Sequence, residues 1–170
     1  MRVETRKNAD SVPLPMTTKE GTFLVTHADD ESATLRDVAD SQVLTLSENP
    51  GVDAGSVVDA TVEPEPPMEV TYTVVELDAE RTIPVERVEF EPTAQATDIA
   101  ADQPVGDLTT RERAGEGEIH VLTVPEEDTE DAATEVVEDE ATVSRAARLG
   151  VDRVEVRTAA GVVSVRYLPD

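Results

Sequence analysis

The sequence predicts an α+β protein in two parts: a small all-β barrel or roll of five to six short strands, then a β-α-α-β-β unit. Two observations carry that expectation. Between Gly21 and Glu86, short runs rich in β-branched residues are separated by acidic or proline-containing breaks, with no helical period. From Ile119 onward the pattern changes to one apolar run, two helical segments and an alternating hairpin. The implied divisions are an N-terminal tail over residues 1–19, a β-barrel domain over 20–86, a connector over 87–118 and an α+β unit over 119–170.

The tail carries Arg2, Arg6 and Lys7 but no apolar stretch behind them, unlike a secretory signal. Met16, followed by Thr17-Thr18-Lys19-Glu20-Gly21 and then the first strand-like run, is read as an alternative start. Thr22–His27, Ala33–Val38 and Gln42–Ser47 are the first three strands. The turn Glu48-Asn49-Pro50-Gly51 follows, because proline presets φ and Gly51 supplies a positive φ. Val58, Ala60 and Val62 then alternate with Asp59, Thr61 and Glu63, as on a half-buried strand. Pro64-Glu65-Pro66-Pro67 ends it, since proline cannot donate to a ladder. Val70–Leu77 is the next strand, and Thr82–Glu86 an edge strand. Closure into a barrel would remove the exposed edges of so many short strands.

In the connector, Thr93–Asp102 reads as a short helix with Ala96, Ile99 and Ala100 on one side, and the rest is given no fixed structure. Ile119–Val124 is a buried strand stopped by Pro125. Glu126–Glu138 is a helix whose early acids suit an N-terminus, and Ala141–Leu149 a second helix ended by Gly150. Val154 and Val156 alternate with charged residues, and the Thr158–Gly161 turn leads back through Val163, Val165 and Tyr167. Such a sheet needs a further surface to cover it.

Charge is the most unusual property of the chain. Its 38 acidic residues face 14 basic ones, of which Lys7 and Lys19 are the lysines, for a formal net charge of −24. That excess repels itself in dilute buffer. Near 1 M salt the Debye length falls to about 3 Å and the repulsion is screened. The expectation is a salt-adapted, cytoplasmic protein. Disorder is not the reading, because 38% of the residues are hydrophobic. The absence of cysteine excludes disulfides, thiolate metal sites and thiol nucleophiles. No apolar run approaches the roughly 18 residues of a membrane span, so no membrane partner is expected.

Two places carry candidate chemistry. Thr26-His27-Ala28-Asp29-Asp30-Glu31 resembles the His-Pro-Asp-Asp-Glu motif of zinc-dependent N-acetylglucosaminyl deacetylases. That resemblance implies His27 and Asp30 as zinc ligands and Asp29 as general base. Ala28 stands in place of the proline, and a strand follows where that family has a helix. The competing reading is an acidic turn at a strand end. The second place is a reversal of charge: Ser144–Leu168 holds Arg145, Arg148, Arg153, Arg157 and Arg166 against Asp152 and Glu155. Period two puts Arg153 and Arg157 on one face of a strand, where Arg166 can join them from its partner. The arginine fork suits phosphate, RNA or an acidic partner. The alternative is intramolecular, with these arginines neutralising the nine acids of Glu126–Glu140. No phosphate loop, serine triad or cofactor motif is present.

The strand Gly55–Val62 resembles the glycine-led strand of oligonucleotide-binding and translation-associated barrels. Over nearly everything after Met16 the chain is similar to a family of small uncharacterised haloarchaeal proteins. Gly21–Asp30, Asn49–Val75 and Leu108–Pro125 carry that likeness. It implies salt adaptation and brings neither an activity nor site residues. The reading is a non-catalytic binding or assembly module without a cofactor, its partner an RNA, a ribonucleoprotein or another protein. The alternatives are a zinc-dependent hydrolase using His27, Asp29 and Asp30, and a structural homodimer paired through the C-terminal sheet.

Overall fold

The computed structural model describes residues 18–68, 70–113 and 115–170. The basic cluster of the tail and Met16 lie outside the described residues. The chain is a mixed α+β protein divided into two compact units, which part between Thr82 and Ile83.

The described residues of the first unit form five strands: β1 (Lys19–Ala28), β2 (Ala33–Asp37), β3 (Val43–Leu46), β4 (Val57–Pro64) and β5 (Tyr72–Arg81). Hydrogen bonding runs round them in the order β1-β2-β3-β5-β4 and returns to β1. The β3–β5 contact is a single parallel pair, Leu46 opposite Tyr72, whereas β4 and β5 pair over their lengths. The inward positions of these strands form the core. Phe23 and Val25 of β1, Leu35 of β2, Leu44 and Leu46 of β3, and Val58, Ala60 and Val62 of β4 pack together at the centre. Burying each larger side chain stabilises by about 1.5–3 kcal/mol. Lys19, assigned to the tail by the sequence, opens β1.

The turn before β4 forms as its chemistry requires. Asn49 Oδ1 accepts hydrogen bonds from the amides of Gly51 and Val52, both at 2.8 Å, and Gly51 has φ +109°. Asn49 Nδ2 also donates to the Asp29 carbonyl at 2.8 Å, tying this turn to the β1–β2 connection.

The second unit holds a five-stranded sheet in the order β6-β9-β10-β8-β7: β6 (Val85–Arg87), β7 (Leu108–Glu112), β8 (Glu118–Thr123), β9 (Arg153–Ala159) and β10 (Val162–Leu168). Three helices accompany it: α1 (Ala94–Ala101), α2 (Thr129–Glu138) and α3 (Glu140–Leu149). The segment β8-α2-α3-β9-β10 follows the order expected from sequence. Thr93 caps α1 by accepting from the Ala96 amide at 3.2 Å, and Gly150 ends α3 with φ +75°.

Residues 83–118 differ from expectation in two ways. β6 was expected at the edge of the N-terminal strands; it instead pairs in parallel with β9, Val85 opposite Val154. That pairing spans almost the whole unit in sequence, so no local pattern announces it. The connector forms the short helix read over Thr93–Asp102, which covers the sheet, and its remainder, given no fixed structure, supplies an edge strand. Ala96 and Ala100 of α1 pack on Ile119 and Val121 of β8, and β7 pairs antiparallel with β8. The glycines at 115 and 117 belong to the β7–β8 hairpin, closed by the Arg113 amide donating to the Gly117 carbonyl at 3.2 Å.

Candidate anion-binding face

The second unit's sheet has two chemically distinct faces. β9 alternates Arg153, Glu155 and Arg157 with Val154 and Val156, so the charged residues share one face. Strand register extends that face: Arg166 stands opposite Glu155, Ile119 opposite Arg166 and Arg111 opposite Ile119. Exposed Glu86 lies beside Glu155 on β6. Helix α1 covers the Ile119 and Val121 part of this face and leaves the arginines beside it.

Three guanidinium groups converge on one carboxylate. Arg157 Nε donates to Glu155 Oε1 at 2.8 Å, Arg153 Nη1 donates to Oε2 at 3.2 Å, and Arg166 Nε lies 3.4 Å from Oε1. Glu155 is only 8% exposed. Burial pushes its carboxyl up, but the hydrogen bonds and charges of Arg157 and Arg153 outweigh burial and hold the pKa below its ordinary value. The buried Nε of Arg166 makes no hydrogen bond among the described residues. Burial, followed by the charges of Arg157, Arg113 and Arg153, pushes the Arg166 guanidinium below its usual pKa, against the pull of Glu155. A buried donor without a partner is costly. Here it sits where positive charge exceeds negative.

A groove of about 640 Å³ adjoins the cluster, lined by Thr93, Gln95, Glu112, Arg113, Ile119 and Arg166. Gln95 also borders a second groove of about 600 Å³, which reaches Arg111, Asp98 and Gln103 along the other side of α1. The β7–β8 hairpin brings Arg113 to the first groove, and its Nη1 donates to the Glu116 carbonyl at 2.6 Å. Gly117 is required there. Its φ is +97°, and a Cβ would fall 2.0 Å from the Tyr167 carbonyl oxygen.

The five arginines of the sequence reading are not one cluster. Arg153, Arg157 and Arg166 gather around Glu155, while Arg145 and Arg148 lie on α3. Arg145 approaches Glu118 at 3.7 Å on the other face of the sheet, where His120 contacts the same carboxylate at 2.9 Å. The His120 and Tyr167 rings lie 4.9 Å apart. The acidic helix draws on a different arginine: Arg87 of β6 makes a bidentate pair with Glu130 of α2, both bonds at 2.7 Å. The sequence reading missed Arg113, which a turn brings to the groove, and Phe90, over whose ring the Arg157 guanidinium lies at 5.3 Å.

His27 and Asp29 come together, but as parts of a turn. His27 Nε2 lies 3.3 Å from Asp29 Oδ2, while Asp29 Oδ1 accepts from the amides of Glu31 and Ser32, both at 2.8 Å. Those backbone hydrogen bonds, ahead of His27, hold the Asp29 carboxyl below its usual pKa. Among the described residues no group of three or more His, Cys, Asp or Glu side chains could hold a metal ion, so the deacetylase-like segment with Asp30 lacks a gathered ligand set. Among the described residues no helix is long and apolar enough to cross a membrane.

Residues 19–158 match a family described as a family of unknown function (DUF5812), and the chain belongs to that family. No curated protein and no solved structure matches it.

Proposed function

We propose that this family member is a non-catalytic, salt-adapted binding module of the cytoplasm, whose C-terminal unit takes an anionic partner, RNA foremost, on the arginine face of its sheet. The observation that carries the reading is the convergence of Arg153, Arg157 and Arg166 on the single carboxylate of Glu155 beside a groove that Arg113 also lines. In a chain of net charge −24, a local surplus of guanidinium groups has an intramolecular alternative at every turn. This one retains an unbonded donor at Arg166. Arginine's planar fork matches phosphate oxygens, and hydrogen bonds from guanidinium groups to an anion are among the strong, charge-assisted ones. The N-terminal strand ring, read as a small barrel, supplies the scaffold in this proposal.

The test is RNA binding by fluorescence anisotropy in KCl, with the Arg153→Ala/Arg157→Ala variant beside the wild type. The variant binds more weakly, and its log–log salt slope is shallower by roughly one to two, since each lost phosphate contact removes about 0.7 on a single strand. Equal affinity and slope in a variant with an unchanged thermal melt would reject the arginine face. Salt adaptation is tested separately by thermal melts from 3 M KCl down to dilute buffer. The transition temperature falls steeply as salt is withdrawn, because screening of the net negative charge is lost; an unchanged cooperative melt refutes it.

A further inference from the structure

The arginine face has a second component that phosphate recognition does not use. The chain holds four aromatic residues besides its two histidines: Phe23, Tyr72, Phe90 and Tyr167. Phe23 and Tyr167 are buried, Tyr72 is half-buried against the strand-ring core, and Phe90 is 66% exposed. A chain this poor in aromatics gains nothing for its core from an exposed phenyl ring. The ring is also held in place. The Arg157 guanidinium lies 5.3 Å from its centroid, and Arg157 Nη1 donates to the carbonyl of the next residue, Glu91, at 3.4 Å. Arg157 Nε is in turn fixed by Glu155. The exposed ring is thus tied through one side chain to the centre of the cationic cluster. A shallow cavity of about 370 Å³ opens beside it, lined by Arg87, Val88, Glu89, Phe90 and Thr158.

Salt gives this ring a purpose. At molar ionic strength phosphate contacts lose most of their strength. A module working there needs a contribution that salt does not screen, and stacking of a base on an aromatic ring is one. Duplex RNA cannot offer a base face to such a ring, whereas an unpaired strand can. We infer that the arginine face binds single-stranded RNA, with an unpaired base stacked on the exposed Phe90 ring and its neighbouring phosphates met by Arg153, Arg166 and Arg113. This inference rests on the arginine-face reading and specifies its ligand.

The experiment compares three probes at one fixed KCl concentration: a short oligoadenylate, an RNA duplex of equal length and inorganic polyphosphate. Wild type, Phe90→Leu, Phe90→Tyr and Arg153→Ala/Arg157→Ala are each titrated. The expected result is that wild type prefers the single strand to the duplex and to polyphosphate. Phe90→Leu then lowers single-strand affinity on the order of ten-fold and leaves polyphosphate binding unchanged, while Phe90→Tyr retains the preference. If polyphosphate binds and depends on the arginines but Phe90→Leu changes nothing, or the duplex binds as tightly as the single strand, the stacking inference fails and the arginine face stands. If neither RNA nor polyphosphate binds, or the double arginine variant binds as well as wild type, both fail. Phe90 is exposed, so its substitution leaves the melt unchanged and the binding readout interpretable.

Discussion

Among the described residues each unit of this protein buries one carboxylate, and the two are satisfied in different ways. Asp37 in the strand ring is 5% exposed and serves its own turn: Oδ1 accepts from the amides of Ala39 at 2.7 Å and Asp40 at 3.2 Å, and Lys19 approaches Oδ2 at 3.1 Å. One lysine and two local amides account for it. Glu155 in the sheet is 8% exposed, and its neighbours are three arginines on two strands. The first arrangement neutralises a carboxylate and shapes a β-turn. The second uses a carboxylate to hold together more positive charge than it cancels. Folding alone explains Asp37; under the proposed function Glu155 acts as the organiser of a cationic face.

Removing each charge tests the contrast, and the larger effect belongs to Glu155. Glu155→Gln leaves three guanidinium groups close together without their counter-charge, and breaking a buried pair this way costs several kcal/mol. Because Arg153 is 42% exposed, the lower end is expected, about 3 kcal/mol, measured by denaturant unfolding in molar KCl. The pH dependence has a definite sign. The carboxyl is held below its ordinary value of 4.5, so its stabilisation is present above that value and is lost as pH falls through the depressed folded value. The variant lacks that acid limb, and polyphosphate restores part of its lost stability. A loss within about 0.5 kcal/mol, the range of an ordinary surface substitution, would break the comparison.

Asp37→Ala is the smaller perturbation, since it removes acceptors from turn amides but leaves no group of like charges. About 1–3 kcal/mol is expected. Asp37→Asn, which keeps an oxygen acceptor, recovers most of it. Polyphosphate has no effect on either variant. If the asparagine variant were as unstable as the alanine one, the turn would depend on the Lys19 charge and the two carboxylates would be less different than their geometry implies.

How much of each unit could be read from sequence follows the same division. In the first, short β-branched-rich runs marked β1 to β3, and the alternation of Val58, Ala60 and Val62 marked β4 and its inward side chains, because strand alternation is a local property. In the second, β8-α2-α3-β9-β10 was legible for the same reason, with Gly150 and Pro125 as punctuation. The pairing of β6 with β9 was not, since three residues, Val85–Arg87, carry too little pattern to choose a distant partner. Arg153, Arg157 and Arg166 were legible as a group from period two and the hairpin. Arg145 and Arg148 were grouped with them by proximity in sequence, and the helix carries them to the opposite face. Arg113 and Phe90 gave no signal, because one depends on a hairpin turn and the other on the cation lying over its ring.

The opposite face of the sheet supplies the smallest effect and the finest test of the division between faces. His120 of β8 is 6% exposed; Glu118 on its own strand lies 2.9 Å away, Tyr167 of β10 packs against its ring, and Arg145 of α3 stands over Glu118. Thr110 and Val165 are its strand neighbours. Burial comes first in lowering the imidazole below its ordinary value of 6.5, and the Arg145 charge adds to it, with Glu118 opposing. Burial also pushes the Tyr167 hydroxyl up to about 12, so that ring stays neutral throughout this range. With a lowered folded pKa, the unfolded chain binds the proton more readily. Stability from the neutral imidazole is therefore complete above about 6.5 and declines as pH drops from there toward the folded value, with a slope below about 1.4 kcal/mol per pH unit. His120→Leu flattens that segment of the stability profile and leaves the acid limb of Glu155 in place. Loss of both segments together in this variant would mean that the two faces titrate as one network, and that Glu155 does not organise its arginines independently.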